Sequence, residues 1–229
     1  MNIFKFLYYQ FFRPKIFFPK KSYAYFKEDL FINNFFKKKF YGFYVDVGAY
    51  HPLEGSNTHL LYKKKNWSGI NIDISNLSID LFKVARKNDL NLSIGISNIK
   101  KKLKIYFRRK INVLNTLNKK IAKIQFPNGF YEKKIQVDKL DNILNNSKYK
   151  NRKIDFLNID VEGEELNVLK SLNFKKYKPK LICVEIHNRD KIFNNQKKYL
   201  LNNNVYKFLL KRKYKIVWNH KYSYIFKRT

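Results

Sequence analysis

The sequence predicts an open, doubly wound α/β fold: a mostly parallel seven-stranded sheet that closes with an antiparallel hairpin. Three observations lead there. Short apolar runs rich in β-branched and aromatic residues (FYVDV, WSGINID, IDFLNID, KLICVEIH) have the length and continuity of strands buried on both faces. Segments with helical spacing alternate with these runs, and that alternation builds a parallel sheet with helices on both sides. Finally, KYKIVWNHKYSYIFKR reads as two strands joined by a tight turn at 219–221.

Along the chain, residues 1–40 form an aromatic and basic arm with a helix over 28–38. Residues 41–229 form the main domain, with its hairpin at about 214–227. The first strand is Phe43–Val47, and Ser56 and Asn57 are N-cap candidates for a helix through HLLYKKKN. WSGINID is the second strand, followed by a helix that starts at Ser75 or Asn76 and carries Leu77, Leu81, Phe82 and Ala85 on one side. LNLSIGIS is the third. In the middle, KLKIYF is a strand, the segment through Gly129 an elaborated loop, and KKIQVDKLDNIL a strand running into a helix. IDFLNID, the helix EELNVLKSL and KLICVEIH follow, and one helix over 191–210 leads into the hairpin.

Composition bounds the function. With 229 residues, 45% of them apolar, the chain can bury a real core and is not a disordered polyelectrolyte. Its 49 Lys and Arg against 17 Asp and Glu give a formal charge of +32, which draws it toward anionic substrates and surfaces. The lysines are spread along the sequence, and no nucleic-acid-binding module or clustered basic stripe is recognisable, so specific nucleic-acid binding is not expected. Cys183 is the one cysteine and lies in an apolar run, which excludes an internal disulfide and a cysteine-based metal site. MNIFKFLYYQFF is apolar but is interrupted by Arg13 and Pro14, so it reads as neither signal peptide nor membrane span. A cytoplasmic protein is expected. The aromatic, Lys-bearing arm suits weak peripheral contact with the inner face of a membrane, but packing of the arm on the domain is favoured.

In open α/β sheets ligands bind beyond the carboxyl ends of the strands, so those ends carry the chemistry. VDVGAYHPLEGSNT follows the first strand. There Asp46 supplies an acid, Gly48 and Ala49 form a turn without bulk, and Ser56, Asn57 and Thr58 open a helix whose amides suit a carboxylate. An adenosyl donor with an amino-acid tail would use both. With only Gly48 in the turn, a dinucleotide pyrophosphate cradle is not expected. Asp73 ends the second strand about 25 residues beyond Gly48, where an acid accepts hydrogen bonds from ribose hydroxyls. Ser97 follows the third strand and is placed to reach an adenine edge. Taken together, five or so βα units ending in an antiparallel pair are the layout of the class I, Rossmann-like methyltransferase fold.

The most acidic stretch of this basic chain is LNIDVEGEE, residues 157–165. Glu164 and Glu165 suit the first turn of a helix, where negative charge meets the positive end of the helix dipole. Asp160 and Glu162 should project into the cleft, together with His187 after the fifth strand. Any of the three could accept a proton from a hydroxyl as it is methylated. A divalent cation on Asp160, His187 and Asn188 is the alternative, less favoured than a metal-free base. His51, His59 and His220 are weaker candidates.

The ordered motifs YVDVGAYHP, SNT, LY…NWSGINID, NLSIGIS, DFLNIDVEGEE, LKSL and KYKPKLICVEIHN resemble the FkbM family of S-adenosylmethionine-dependent methyltransferases, over about 28–188. The hairpin carries little of this resemblance, and residues 108–131 almost none. The resemblance implies an O-methyltransferase acting on sugars or natural-product hydroxyls. A small-molecule or glycan acceptor in surface-polysaccharide biosynthesis is the expectation. The rivals are a nucleic-acid methyltransferase and a non-catalytic basic binding protein on the same fold.

Overall fold

A computed structural model describes residues 20–108, 115–187 and 195–229. The first part of the arm (1–19), Asn188 and the start of the expected 191–210 helix lie outside them. In chain order the elements are α1 (Glu28–Phe35), β1 (Phe43–Val47), α2 (His59–Lys65), β2 (Ser68–Asp73), α3 (Asn76–Ala85), β3 (Leu90–Ser93) and β4 (Gly95–Ile96). There follow β5 (Lys101–Phe107), α4 (Lys119–Gln125), β6 (Tyr131–Asp138), α5 (Leu140–Asn145), β7 (Phe156–Ile159), α6 (Glu165–Lys170) and α7 (Phe174–Tyr177). The last are β8 (Leu181–Glu185), α8 (Gln196–Asn202), α9 (Asn204–Leu210), β9 (Tyr214–His220) and β10 (Ser223–Arg228).

The main sheet has seven strands in the order β3-β2-β1-β7-β8-β10-β9. The pairs from β3 to β8 are parallel, whereas β10 is antiparallel to both β8 and β9. This is the class I methyltransferase arrangement, and strand order reverses between β1 and β7.

The two faces of the sheet bury different residues of the same strands, as the two-residue period of a strand requires. Phe43, Val45, Val47, Leu157, Ile159, Ile182 and Val184 pack on one side against Leu140, Leu144, Val168 and Leu169. Tyr44, Phe156, Leu181 and Cys183 pack on the other against Ile32, Phe36, Leu61 and Trp67. Cys183 is the buried thiol expected, and burial raises its pKa well above the usual thiol value.

That second face also carries a polar row. Register aligns Asn91, Asn71, Asp46 and Asn158 across β3, β2, β1 and β7. Asn71 donates to Asn91 at 2.8 Å, and Asn158 donates to Asp46 at 2.8 Å. Over the row lies Arg86, just past α3 and only 1% exposed. Its guanidinium donates to Tyr44, Thr58, Ser56 and the Pro52 carbonyl at 2.7–3.1 Å. Asp89 completes the network by accepting from Tyr44, from the Gly69 amide and from Asn71. Buried polar groups are tolerated only when partnered, so this network fixes the loop 52–58 onto β1 and β2.

The elements differ from the sequence expectations in several places. α1 ends at Phe35, three residues short of the expected end, where Phe36 turns into the core against Trp67. The N-cap of α2 is Thr58, and neither Ser56 nor Asn57 caps it: Ser56 is held by Arg86, and Asn57 donates to Asn158. LNLSIGIS is two strands, because β4 leaves the main sheet to join a three-stranded sheet of order β4-β6-β5. The expected loop before Gly129 contains α4, capped by Asn118. The described part of 191–210 is two helices, since Asn203 takes an extended conformation and caps α9. The hairpin turns at Lys221–Tyr222, with Ser223 paired to His220, so the turn lies later than expected.

Replacing Arg86 by Met should lower stability by about 3–5 kcal/mol, because it leaves buried Ser56, Thr58 and the Pro52 carbonyl without their shared donor and removes the cation beside Asp89. Urea denaturation should show this as a lower midpoint. The exposed control Lys38→Ala should fall within about 0.5 kcal/mol of the parent.

Candidate active site

One cleft opens at the carboxyl ends of β1, β2, β7 and β8, across the strand-order reversal. Asp46, Gly48, Ala49 and Asp73 line one part of it, and Asp160, Glu162 and His187 another. Tyr25 reaches its mouth from the N-terminal side and packs against Gly55.

Gly48 sits at φ 80°, and a Cβ there would lie 1.8 Å from the Asp160 carbonyl oxygen. The glycine is therefore required by the close crossing of the β1 and β7 ends rather than by the approach of a ligand. Asp46 forms the cleft floor. Thr58 donates to one of its oxygens at 2.8 Å and Asn158 to the other, while burial raises its pKa. Asp73 is held by the amides of Tyr50 (2.9 Å) and Ser75 (2.7 Å), which aim its carboxylate along the cleft wall. Burial pushes its pKa up to about 6 despite those two bonds. Beside it, Ile74, Ile94 and Ile96 make an apolar slot around Gly95.

The turn after β7 is built from positive-φ residues. Glu162 lies at φ 53° and Gly163 at φ 100°, where an added Cβ would meet Ile121 of α4 at 2.1 Å. Thr116 donates to the Glu162 carbonyl at 2.6 Å, and Gln125 donates to the Glu162 carboxylate at 2.8 Å. The segment between β5 and β6 thus clasps the acidic turn, and Asn115 and Leu117 add to the cleft lining. Glu164 lines the cleft from the N-cap position of α6, its carboxylate accepting from the Asn167 side chain, and Glu165 accepts from the Gly163 amide at 2.9 Å.

Asp160, Glu162 and Glu185 bring carboxylate oxygens within 4.8 Å of one another. Like charges this close repel, so the trio suits sharing a proton or holding a cation. The less favoured metal set read from the sequence, Asp160, His187 and Asn188, differs: Glu162 and Glu185 are the acids that join Asp160, and Asn188 lies outside the described residues. His187 lines the cleft with its ring 4.4 Å from that of Tyr222, which the hairpin turn delivers.

Four expected cofactor residues do not line the cleft. Ser56 and Thr58 are buried under Arg86, and the Ser56 amide donates to the Tyr23 carbonyl. Asn57 bonds Asn158. Ser97 is buried with its amide on the Asp138 carbonyl. The other histidines have structural surroundings. His51 accepts from the amides of Leu53 and Glu54. His59 is buried, and burial together with Arg86 lowers its pKa to about 3, so it stays neutral. His220 is exposed.

Sequence reasoning missed Asn158, Glu185, Arg86 and the isoleucine slot. A signal for the polar row was present: VDV, INI, LNL and LNI each set one polar residue between apolar neighbours on a strand.

Sheet order, cleft position and polar strand ends define a class I methyltransferase fold. Residues 46–216 match the Methyltransferase FkbM domain, and the chain belongs to that family. The match starts later than the motif resemblance and extends into β9. No curated protein and no solved structure matches the chain. Among the described residues no helix is long and apolar enough to cross a membrane.

The raised pKa of Asp73 sets a pH dependence. Between the ordinary value of 3.8 and about 6, the folded chain holds this proton more tightly than the unfolded chain. Stability should therefore fall as pH rises through that window, by about 2 kcal/mol from Asp73 alone. Denaturation of the parent and of Asp73→Asn at pH 4, 5, 6 and 7 checks this. The parent's loss across the window should exceed the variant's, and equal slopes would contradict it.

Proposed function

We propose that the protein is an S-adenosylmethionine-dependent O-methyltransferase that modifies a sugar hydroxyl in surface-polysaccharide or related glycan biosynthesis in the cytoplasm. The observation that carries this reading is the division of one cleft. Asp73 and the isoleucine slot occupy one side, and the carboxylates Asp160, Glu162 and Glu185 with His187 occupy another.

The residues fit the cofactor by their chemistry. Ile74, Ile94 and Ile96 offer an apolar slot for adenine, Asp73 accepts from ribose hydroxyls, and Asp46 with Asn158 presents polar groups to an amino-acid tail. When bound, S-adenosylmethionine supplies a methyl group on an electrophilic sulfonium. The chain's own part is to position the acceptor and to take its proton. Asp160 and Glu162 stand on a turn fixed by Gly48, Thr116 and Gln125, so an acceptor hydroxyl held there loses little further entropy in reaching the reactive arrangement. Either carboxylate, or His187, accepts the hydroxyl proton as the oxygen–methyl bond forms. The family resemblance supports the sugar hydroxyl, and several carboxylate acceptors at the cleft match a hydroxyl-rich acceptor.

Calorimetry with S-adenosylhomocysteine should give binding in the micromolar range, with Asp73→Asn weakening it at least about tenfold at pH 8. Asp160→Asn should leave that affinity within about threefold while lowering methyl transfer at least about a hundredfold. No heat of binding at high micromolar ligand would point to a non-catalytic protein. Loss of both binding and turnover in Asp160→Asn would show that Asp160 holds the cofactor instead.

A further inference from the structure

Lysine is dispersed in the sequence, but the topology collects it. The loops entering β1, β2, β7, β8 and β9 all lie at the amino end of the sheet, opposite the cleft. They and the helix ends that lead into them carry KKK at 37–39, KKK at 63–65, KYKNRK at 148–153, KKYKPK at 175–180 and KRK at 211–213. None of these five runs contains an acid. The nearby Asp155 is already paired to Lys39 at 2.8 Å and Lys180 at 3.1 Å, and Asp89 is buried. The expectation of no basic cluster holds for the sequence and fails for the fold.

Contacts join these runs into one surface. Lys65 donates to the Lys37 carbonyl, Arg152 to the Tyr41 carbonyl, and the Arg228 amide to the Lys180 carbonyl. At the hairpin side, Lys175, Lys178, Lys211, Arg212 and Arg228 line a single groove. Two aromatic side chains stand out of the same end, Phe40 at 54% and Tyr41 at 71% exposed, with Leu210 at 44% beside KRK.

We propose that this end of the sheet docks on the phosphate headgroups of an anionic lipid bilayer. The cations cross the ends of several strands, each about 4.8 Å from the next, so the charge spreads over a broad end rather than along one channel. A strand of nucleic acid needs a groove that tracks its backbone, with aromatic platforms along it. A bilayer needs breadth, net positive charge and aromatic groups at headgroup level. Phe40 and Tyr41 among the lysines supply the last of these. Docking in this way turns the cleft away from the bilayer, toward water-soluble acceptors. This inference does not depend on the methyl-transfer reading.

Sedimentation with vesicles tests it, using the full chain at about 150 mM salt, where exposed charges farther apart than about 8 Å are largely screened. Vesicles of phosphatidylcholine with about 30% phosphatidylserine should carry the protein down, and pure phosphatidylcholine should not. Lys38→Glu/Lys153→Glu/Lys175→Glu changes three exposed positions in separate segments and should lower the partition coefficient at least about tenfold. Phe40→Ser/Tyr41→Ser should lower it several-fold, with the thermal midpoint of both variants close to the parent's. No sedimentation with the anionic vesicles overturns the proposal. So does a partition coefficient unchanged in the triple variant. Retention of a generic single-stranded RNA that the triple variant loses, without vesicle binding by the parent, would assign the surface to nucleic acid instead.

Discussion

A buried guanidinium sets the terms for the half of this fold that carries the cleft. Arg86 lies over the sheet beside a row of Asn and Asp side chains that register brings level across four strands. Taken out of water alone, each of these groups would cost several kcal/mol. Partnered, they form a polar layer that permits one arrangement of β1, β2, β3 and the loop 52–58. The sulfonium cofactor proposed for the cleft is itself a cation, and Asp46 is the acid that links this layer to the cleft floor. The charge of Arg86 also acts on its neighbours. It keeps His59 neutral together with burial, and it opposes the rise that burial imposes on Asp46 and Asp89.

A second constraint sits at the end of β7. The crossing of Gly48 under the Asp160 carbonyl leaves no room for a side chain, and the following Glu162–Gly163 turn runs through left-handed backbone. Such a turn persists when its surroundings over-determine it. Here they do: Thr116 holds the Glu162 carbonyl, Gln125 its carboxylate, and Ile121 closes over Gly163. The segment between β5 and β6 therefore controls the placement of the acidic turn after β7.

Much of the architecture was legible in the sequence because the buried strands are short, apolar and punctuated by turn residues. Phe43–Val47 was read to the residue, and the antiparallel hairpin was read from its two apolar runs. Errors arose where a tertiary partner decides. LNLSIGIS has one continuous strand pattern, yet Ile94 bonds back to Asp73 and the chain after it pairs with β6, which no local pattern encodes. Ser56 looks like a helix-opening residue, but the donor that claims it comes from Arg86, some 30 positions away. Glu185 passed for one more strand residue in KLICVEIH. Its approach to Asp160 depends on β7 and β8 being neighbours. The lysines tell the same story on a larger scale, since only the strand order shows that their loops share one end of the molecule.

The described residues place an acidic cluster in the cleft at the carboxyl ends of the strands and a basic rim at the amino ends. The account turns on the cleft being the cofactor site. A crystal structure of the protein with S-adenosylhomocysteine tests that most directly. The expected result is a ligand with its ribose hydroxyls on Asp73, its adenine among Ile74, Ile94 and Ile96, and its sulfur facing Asp160 and Glu162. A ligand bound outside this cleft, or lying within it with Asp73 uncontacted, would contradict the account.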